Sequence, residues 1–242
     1  MRAPSIPRPL LSRQVRQDAL RATRLFAHLD PAEMDGLVGL VSERRIRRDE
    51  AVIRRGETGG SLMVLVQGRL RAGSISAEGR EVVMSLFEPG QVFGEVALLD
   101  GKPRSLDVTA VADSTVLVLE RRDFLPFLRA HPDLMLRLMV LLCERLRRAS
   151  LALEDAALAD LPVRLGRLLL RLAEDYGTPH GQGIRLRVRM SQKDMSAQVA
   201  ATRESVNRQL RHWREEGLVD AADGQLVLPR PAALRSLVDA GG

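Results

Sequence analysis

With 242 residues, 45% hydrophobic and 28% charged, the chain has the composition of a folded globular protein with room for one large core or two modest ones. The formal net charge is +6, and apart from Lys102 and Lys193 every basic side chain is arginine, the cation whose planar fork pairs with phosphate and with base edges. One cysteine (Cys143) and four scattered histidines (His28, His131, His180, His212) exclude an intramolecular disulfide and supply no ligand spacing for zinc or an iron–sulfur centre. No metal is therefore expected, and no metal-dependent enzyme such as a phosphodiesterase.

The opening "MRAPSIPRPLLSRQVRQ" has arginine and proline but no apolar core of a secretory signal. No run of 18 or more apolar residues follows it. The expectation is a cytoplasmic protein with no membrane contact. Residues 15–40 read as short helices, with Asp30 as an N-cap and Pro31 in the first helical position. From about 44 to 120 the period becomes two. "SLMVLVQGRLRAGSIS", "REVVMSLFEPG" and "LDVTAVADSTVLVLE" predict short strands of a sandwich or barrel, broken at glycines that include 56, 59, 60, 94 and 101.

From about 121 to 158 the pattern is helical. Met135, Met139, Leu142, Leu146, Ala149, Leu153 and Ala156 step alternately by four and three, a heptad seam for pairing with another helix. A second line, Leu134, Leu138 and Leu141, faces another way and can pack on the chain's own strands. Two apolar faces on one helix predict a homodimer built around it, with Cys143 as a small core or interface residue. Asp160 and Pro162 predict a hinge with Asp160 capping the next helix. After it come an amphipathic helix "VRLGRLLLRLAEDYG", a loop "TPHGQG" and a strand "IRLRVRM".

"MSQKDMSAQVAATRESVNRQLRHWREEGLV" then reads as a helix-turn-helix. Ser191 and Asp194 form a capping box, the first helix runs to about Val199, and Thr202 caps a second helix to about Glu216. Val206, Leu210 and Trp213 share its inner face, while Glu204, Arg208 and Arg211 point outward with Arg203 at the start. Such a helix lies in the major groove, arginine pairing with guanine and glutamate with cytosine. Residues 185–214 hold eight basic side chains (Lys193 among them, with Arg185, Arg187 and Arg189) against two acids, so this segment's excess equals that of the whole chain. A local positive charge is what a phosphate footprint requires. "GLVDAADGQLVLP" predicts a hairpin about Asp223-Gly224, the wing of a winged helix.

Taken together, residues 24–230 resemble the cyclic-AMP receptor protein and FNR superfamily of bacterial transcription regulators. "TRESVNRQL" is similar to that family's recognition helix, and "FGEVALLDGKPRSL" to its phosphate-binding cassette. The resemblance implies an α+β fold: an N-terminal cyclic-nucleotide-binding β-roll with its leading helices (1–132), a long dimerisation helix (133–159) and a C-terminal winged helix-turn-helix (160–242). It implies a ligand site of Gly94, Glu95, Val96, Ala97, Arg104 and Ser105, with Glu95 accepting from the ribose 2′-hydroxyl and Arg104 neutralising the cyclic phosphate. It implies a DNA face of Ser191, Gln192, Thr202, Arg203, Glu204, Asn207, Arg208 and Arg211, reading an inverted repeat in double-stranded DNA. The loop 177–183 stands where members touch RNA polymerase.

Ala149 and Ser150 occupy the positions of a Thr-Ser pair that contacts adenine in the family's cyclic-AMP receptor. The missing threonine hydroxyl leaves the effector open between cAMP and cGMP. Leu106 stands where the family has alanine. A constitutive regulator, or one answering another ligand such as cyclic di-GMP, is the alternative.

Overall fold

The computed structural model describes residues 11–75, 81–188, 190–222 and 224–241. Two helices lead, α1 (Arg13–Arg21) and α2 (Pro31–Leu40). The second starts as the sequence predicts: Asp30 Oδ1 accepts from Glu33 N (2.8 Å), Glu33 Oε2 accepts from Asp30 N (2.8 Å), and Pro31 opens the first turn.

Eight strands follow: β1 (Val41–Ile46), β2 (Ala51–Ile53), β3 (Ser61–Gln67), β4 (Leu70–Ile75), β5 (Glu81–Phe87), β6 (Val92–Phe93), β7 (Asp107–Ala110) and β8 (Ser114–Glu120). They form two four-stranded sheets, β1-β8-β3-β6 and β2-β7-β4-β5. Side chains from both share one core that includes Ile46, Ile53, Met63, Leu65, Phe87, Phe93, Val108 and Val116, so the sheets pack as a sandwich. The outer face of the first sheet, through Leu62, Val64, Leu117 and Leu119, packs on helices that bring Leu20, Met34 and Phe124. This explains why "SLMVLV" is apolar without a break. A strand covered on both faces loses the alternation that a half-exposed strand keeps.

Between β6 and β7, in the stretch bounded by the strand breaks at Gly94 and Gly101, the chain forms a six-residue helix, α3 (Glu95–Asp100). Left-handed glycines bound it, Gly94 at φ 83° and Gly101 at φ 70°. These are conformations a side chain resists.

The helical pattern from 121 to 158 forms two helices, α4 (Arg121–Ala130) and α5 (Pro132–Leu158). Proline constrains the residue before it away from the helical region, and His131 accordingly adopts φ −126°, ψ 80°. On α5, Leu134 and Leu138 are buried, whereas the seam residues Met135 (37%), Met139 (47%), Leu146 (68%) and Leu153 (74%) are open to solvent. Leu141 and Leu142 are half-buried, Ala149 and Cys143 exposed; the side chain of Ala156 lies outside the described residues.

The chain divides into two compact units, one drawn mainly from residues up to 144 and the other from 145 onward. The second contains α6 (Leu161–Tyr176), β9 (Gly177–His180), β10 (Gly183–Leu186), α7 (Gln192–Gln198), α8 (Arg203–Glu215), β11 (Asp220–Ala222), β12 (Gln225–Leu228) and α9 (Pro231–Ala240). The predicted loop "TPHGQG" is instead a hairpin, with Gly183 paired to His180 and Leu186 to Gly177. The strand expected over "IRLRVRM" ends at Leu186. Asp160 occupies the N-cap of α6, but its side chain makes no capping hydrogen bond. The helix α9 had no counterpart in the sequence reading. Trp213, Val206 and Leu210 close a core with Leu165, Leu169, Leu228 and Leu234. Among the described residues no helix is long and apolar enough to cross a membrane.

Leu210 is 2% exposed at the centre of this core. Leu210→Ala is expected to cost about 2–5 kcal/mol. The measurement is the urea midpoint of the second unit, followed by fluorescence of Trp213, the chain's single tryptophan.

Candidate ligand site and nucleic-acid interface

The segment 93–106 is positioned by β6, α3 and the start of β7. Glu95, the first residue of α3, is fully buried, and Arg104 is 8% exposed. The Arg104 guanidinium crosses back to the sheet. Its Nη1 donates to Gly94 O (2.8 Å), and its Nη2 donates to Ser61 O and to Ser61 Oγ (3.0 Å each). The backbone is clasped as well: Arg104 N donates to Glu57 O (2.8 Å), Gly56 N donates to Arg104 O (2.8 Å), and Thr58 bridges Pro103.

Burial pushes the Arg104 guanidinium below its usual pKa, and the carboxylates of Glu95, Glu120 and Glu57 act against that shift. A guanidinium remains protonated through such perturbation, so the site carries a fixed positive charge held by carbonyls, a hydroxyl and the field of nearby acids. Ala97 is buried beside it; Val96 and Ser105 are exposed. Leu106 packs against the sandwich core. Lys102 is exposed in the turn, its amide donating to Asp100 Oδ1 (2.9 Å). Ala149 and Ser150 are exposed on α5 and belong to the second unit.

Close approach makes two glycines necessary. A Cβ on Gly59 would lie 2.5 Å from Ala97 Cβ and 2.7 Å from Arg104 Nε; one on Gly94 would lie 2.8 Å from Arg104 Nη1 and 2.9 Å from Ser61 O. The loop 56–60 and Ser61 are thus a wall of the site that the sequence reading missed. Its one signal was the run "GETGGS", read there only as a strand break.

In the second unit the helix-turn-helix has the predicted boundaries. Ser191 Oγ accepts from Asp194 N (3.1 Å) and donates to Asp194 Oδ2 (2.6 Å). Thr202 Oγ1 accepts from Ser205 N (3.1 Å) and donates to Ser205 Oγ (2.9 Å). Both hydroxyls thus cap helices. The turn between α7 and α8 includes Ala200 at φ 49°. Val206 and Trp213 are fully buried, so α8 presents its other side: Arg203, Glu204, Arg208 and Arg211 are exposed and, with half-buried Asn207, line one shallow groove. Asn207 Oδ1 has no hydrogen-bond partner among the described residues. Gln192 is half-buried and Lys193 exposed on α7, while β11 and β12 form the wing. Arg189 and Asp223 lie outside the described residues.

Comparison with known proteins gives the same two-part division. A model described as "Cyclic nucleotide-binding domain" matches residues 43–131, and one described as "Crp-like helix-turn-helix domain" matches residues 163–237. The chain belongs to the cyclic-AMP receptor protein and FNR family. It is 26% identical over 211 residues to a CRP-like cAMP-activated global transcriptional regulator of Mycobacterium tuberculosis, covering 87% of this chain and 94% of that protein. It is 29% identical over 218 residues to the cyclic AMP receptor protein of Thermus thermophilus, covering 90% and 98%. A solved structure of a CooA mutant from Carboxydothermus hydrogenoformans shares the fold, at a TM-score of 0.73 and 19% identity over 84% of this chain and 90% of that one. Family membership makes the chain a DNA-binding transcription regulator with a cyclic-nucleotide-binding domain, not an enzyme.

Gly59→Ala is expected to destabilise the first unit by about 1–3 kcal/mol, because Arg104 or α3 must move. Gly60→Ala, with nothing within 4 Å of the new Cβ, should stay within about 0.5 kcal/mol. Thermal unfolding of the pair is the check.

Proposed function

We propose that this chain is a cyclic-nucleotide-responsive regulator that acts as a homodimer on an inverted-repeat DNA site. The observation that carries the reading is the pairing of buried Glu95 with buried Arg104 at the two ends of one cassette. A cyclic phosphate is a monoanion and is best received by a fixed guanidinium; a ribose hydroxyl is best received by a carboxylate. In this reading Gly94 approaches the nucleotide with its backbone, Val96 and Ala97 line it, and Ser105 donates to the phosphate or the base. Ala149 and Ser150 meet the base, whether adenine or guanine. The effector is cAMP or cGMP, with no metal.

The uncovered seam of α5 supports dimerisation, since Met139, Leu146 and Leu153 would be covered by the same residues of a second copy. The working parts are then the roll and its leading helices (1–132), the dimer helix (133–159) and the reader (160–242). Nucleotide binding would bias the 160–162 hinge so that two α8 helices sit about 34 Å apart, facing successive major grooves. There Arg203, Glu204 and Arg208 would meet base edges, while Ser191, Gln192, Thr202, Asn207 and Arg211 would flank the backbone or the groove floor. The 177–183 hairpin would face RNA polymerase.

Calorimetric titration with cAMP, cGMP and cyclic di-GMP, each repeated with an operator duplex present, tests the reading. Saturable binding of a cyclic mononucleotide that strengthens DNA affinity is expected. DNA binding indifferent to both mononucleotides would defeat it, and a response to cyclic di-GMP alone would replace the effector. Arg104→Gln should weaken nucleotide binding about a hundredfold, still measurable at high nucleotide concentration, and spare the fold. Arg203→Ala should weaken specific binding by about 1–3 kcal/mol, read from filter binding at constant salt.

A further inference from the structure

We propose that Ser61, at the head of β3, is the positioning residue for Arg104, holding its guanidinium in place with neutral acceptors so that the positive charge stays available to an anion. This rests on the nucleotide reading for what the charge receives, but not for the placement itself.

Among the described residues three acceptors take the Arg104 head group, and two of them belong to Ser61: its carbonyl and its hydroxyl oxygen, each 3.0 Å from Nη2. The third is Gly94 O, 2.8 Å from Nη1. Ser61 is 8% exposed and 43 residues away in sequence. Its backbone is fixed by the sheet, in register with Glu120 across β8, and Gly59 just before it leaves room for the arginine stem. An unanchored arginine samples many rotamers, and holding one of them costs conformational entropy at each binding event. A fork already held by a rigid strand avoids that cost, which is the general advantage of preorganisation.

The chemical type of the acceptor matters as much as its position. A carboxylate in place of Ser61 would grip the guanidinium more strongly but would add a formal negative charge against the anion's partner. A hydroxyl and two carbonyls accept from Nη1 and Nη2 and add no charge. The hydroxyl is the only one of the three that a substitution can remove without altering the backbone.

The experiment compares wild type, Ser61→Ala, Ser61→Thr and Ser61→Asp by calorimetry with cAMP and cGMP, each also in an Arg104→Gln background. Ser61→Ala should bind about tenfold more weakly, as loss of one hydrogen bond to a charged group implies, and Ser61→Thr should restore most of it. Ser61→Asp should bind at least as poorly as Ser61→Ala while Arg104 stays ordered. No further loss should appear when Arg104 is already glutamine. Equal affinity of Ser61→Ala and wild type, or the same loss in the Arg104→Gln background, overturns the proposal.

A second readout needs no nucleotide. In the ligand-free protein the Arg104 Nη2 proton resonances, assigned by their disappearance in Arg104→Gln, should exchange with solvent about tenfold faster in Ser61→Ala than in wild type, because Nη2 is the donor to the Ser61 hydroxyl. Unchanged exchange overturns the positioning role. If wild type binds neither nucleotide, the functional reading falls, and the exchange measurement decides the Ser61 proposal by itself.

Discussion

Arg104 takes a permanent charge into the edge of the β sandwich, leaving 8% of its surface to solvent. A cation so placed must have its donors met or the fold loses several kcal/mol. Local features around it follow from that need. The 56–60 loop binds the arginine backbone, Ser61 and Gly94 receive its fork, and Gly59 gives up a side chain to let it pass. Two left-handed glycines set α3 so that Glu95 enters the same buried region. Gly59 and Gly94 are therefore fitted to this one side chain rather than being generic turn residues.

The second unit follows a different logic, because its charged side chains on α8 stay in water. Val206, Leu210 and Trp213 bind one face of α8 to the core and leave the opposite face to Arg203, Glu204, Arg208 and Arg211. Here the core decides which way the charges point. Helix caps at Ser191 and Thr202 fix where the two helices begin, and so set the register of the exposed residues.

How far this could be read in the sequence depended on whether the cause was local. The caps at Asp30, Ser191 and Thr202 and the buried stripe of α8 are local, and all were legible. Glu95 and Arg104 were legible as residue types, and the structure buries both. Ser61 was not, because a serine that accepts from an arginine 43 residues away leaves no periodicity or spacing to find. The hairpin at 177–186 was hidden by its composition: glycine, proline and histidine read as loop. Gly177 and Gly183 are needed there because a Cβ on either would meet a backbone oxygen at 2.2 Å. The cap at Asp160 failed in the other direction; position alone predicted a bond that the side chain does not make.

The near absence of lysine has a practical consequence. Lys102 is exposed in the turn two residues before Arg104, and Lys193 is exposed on the helix that precedes the recognition helix. They are the only lysine side chains in 242 residues. An acylating reagent therefore has one side-chain amine to label in each unit. Two peptides in a mass spectrum would then report, from a single reaction, how accessible the turn before Arg104 and the surface of α7 are under any given condition.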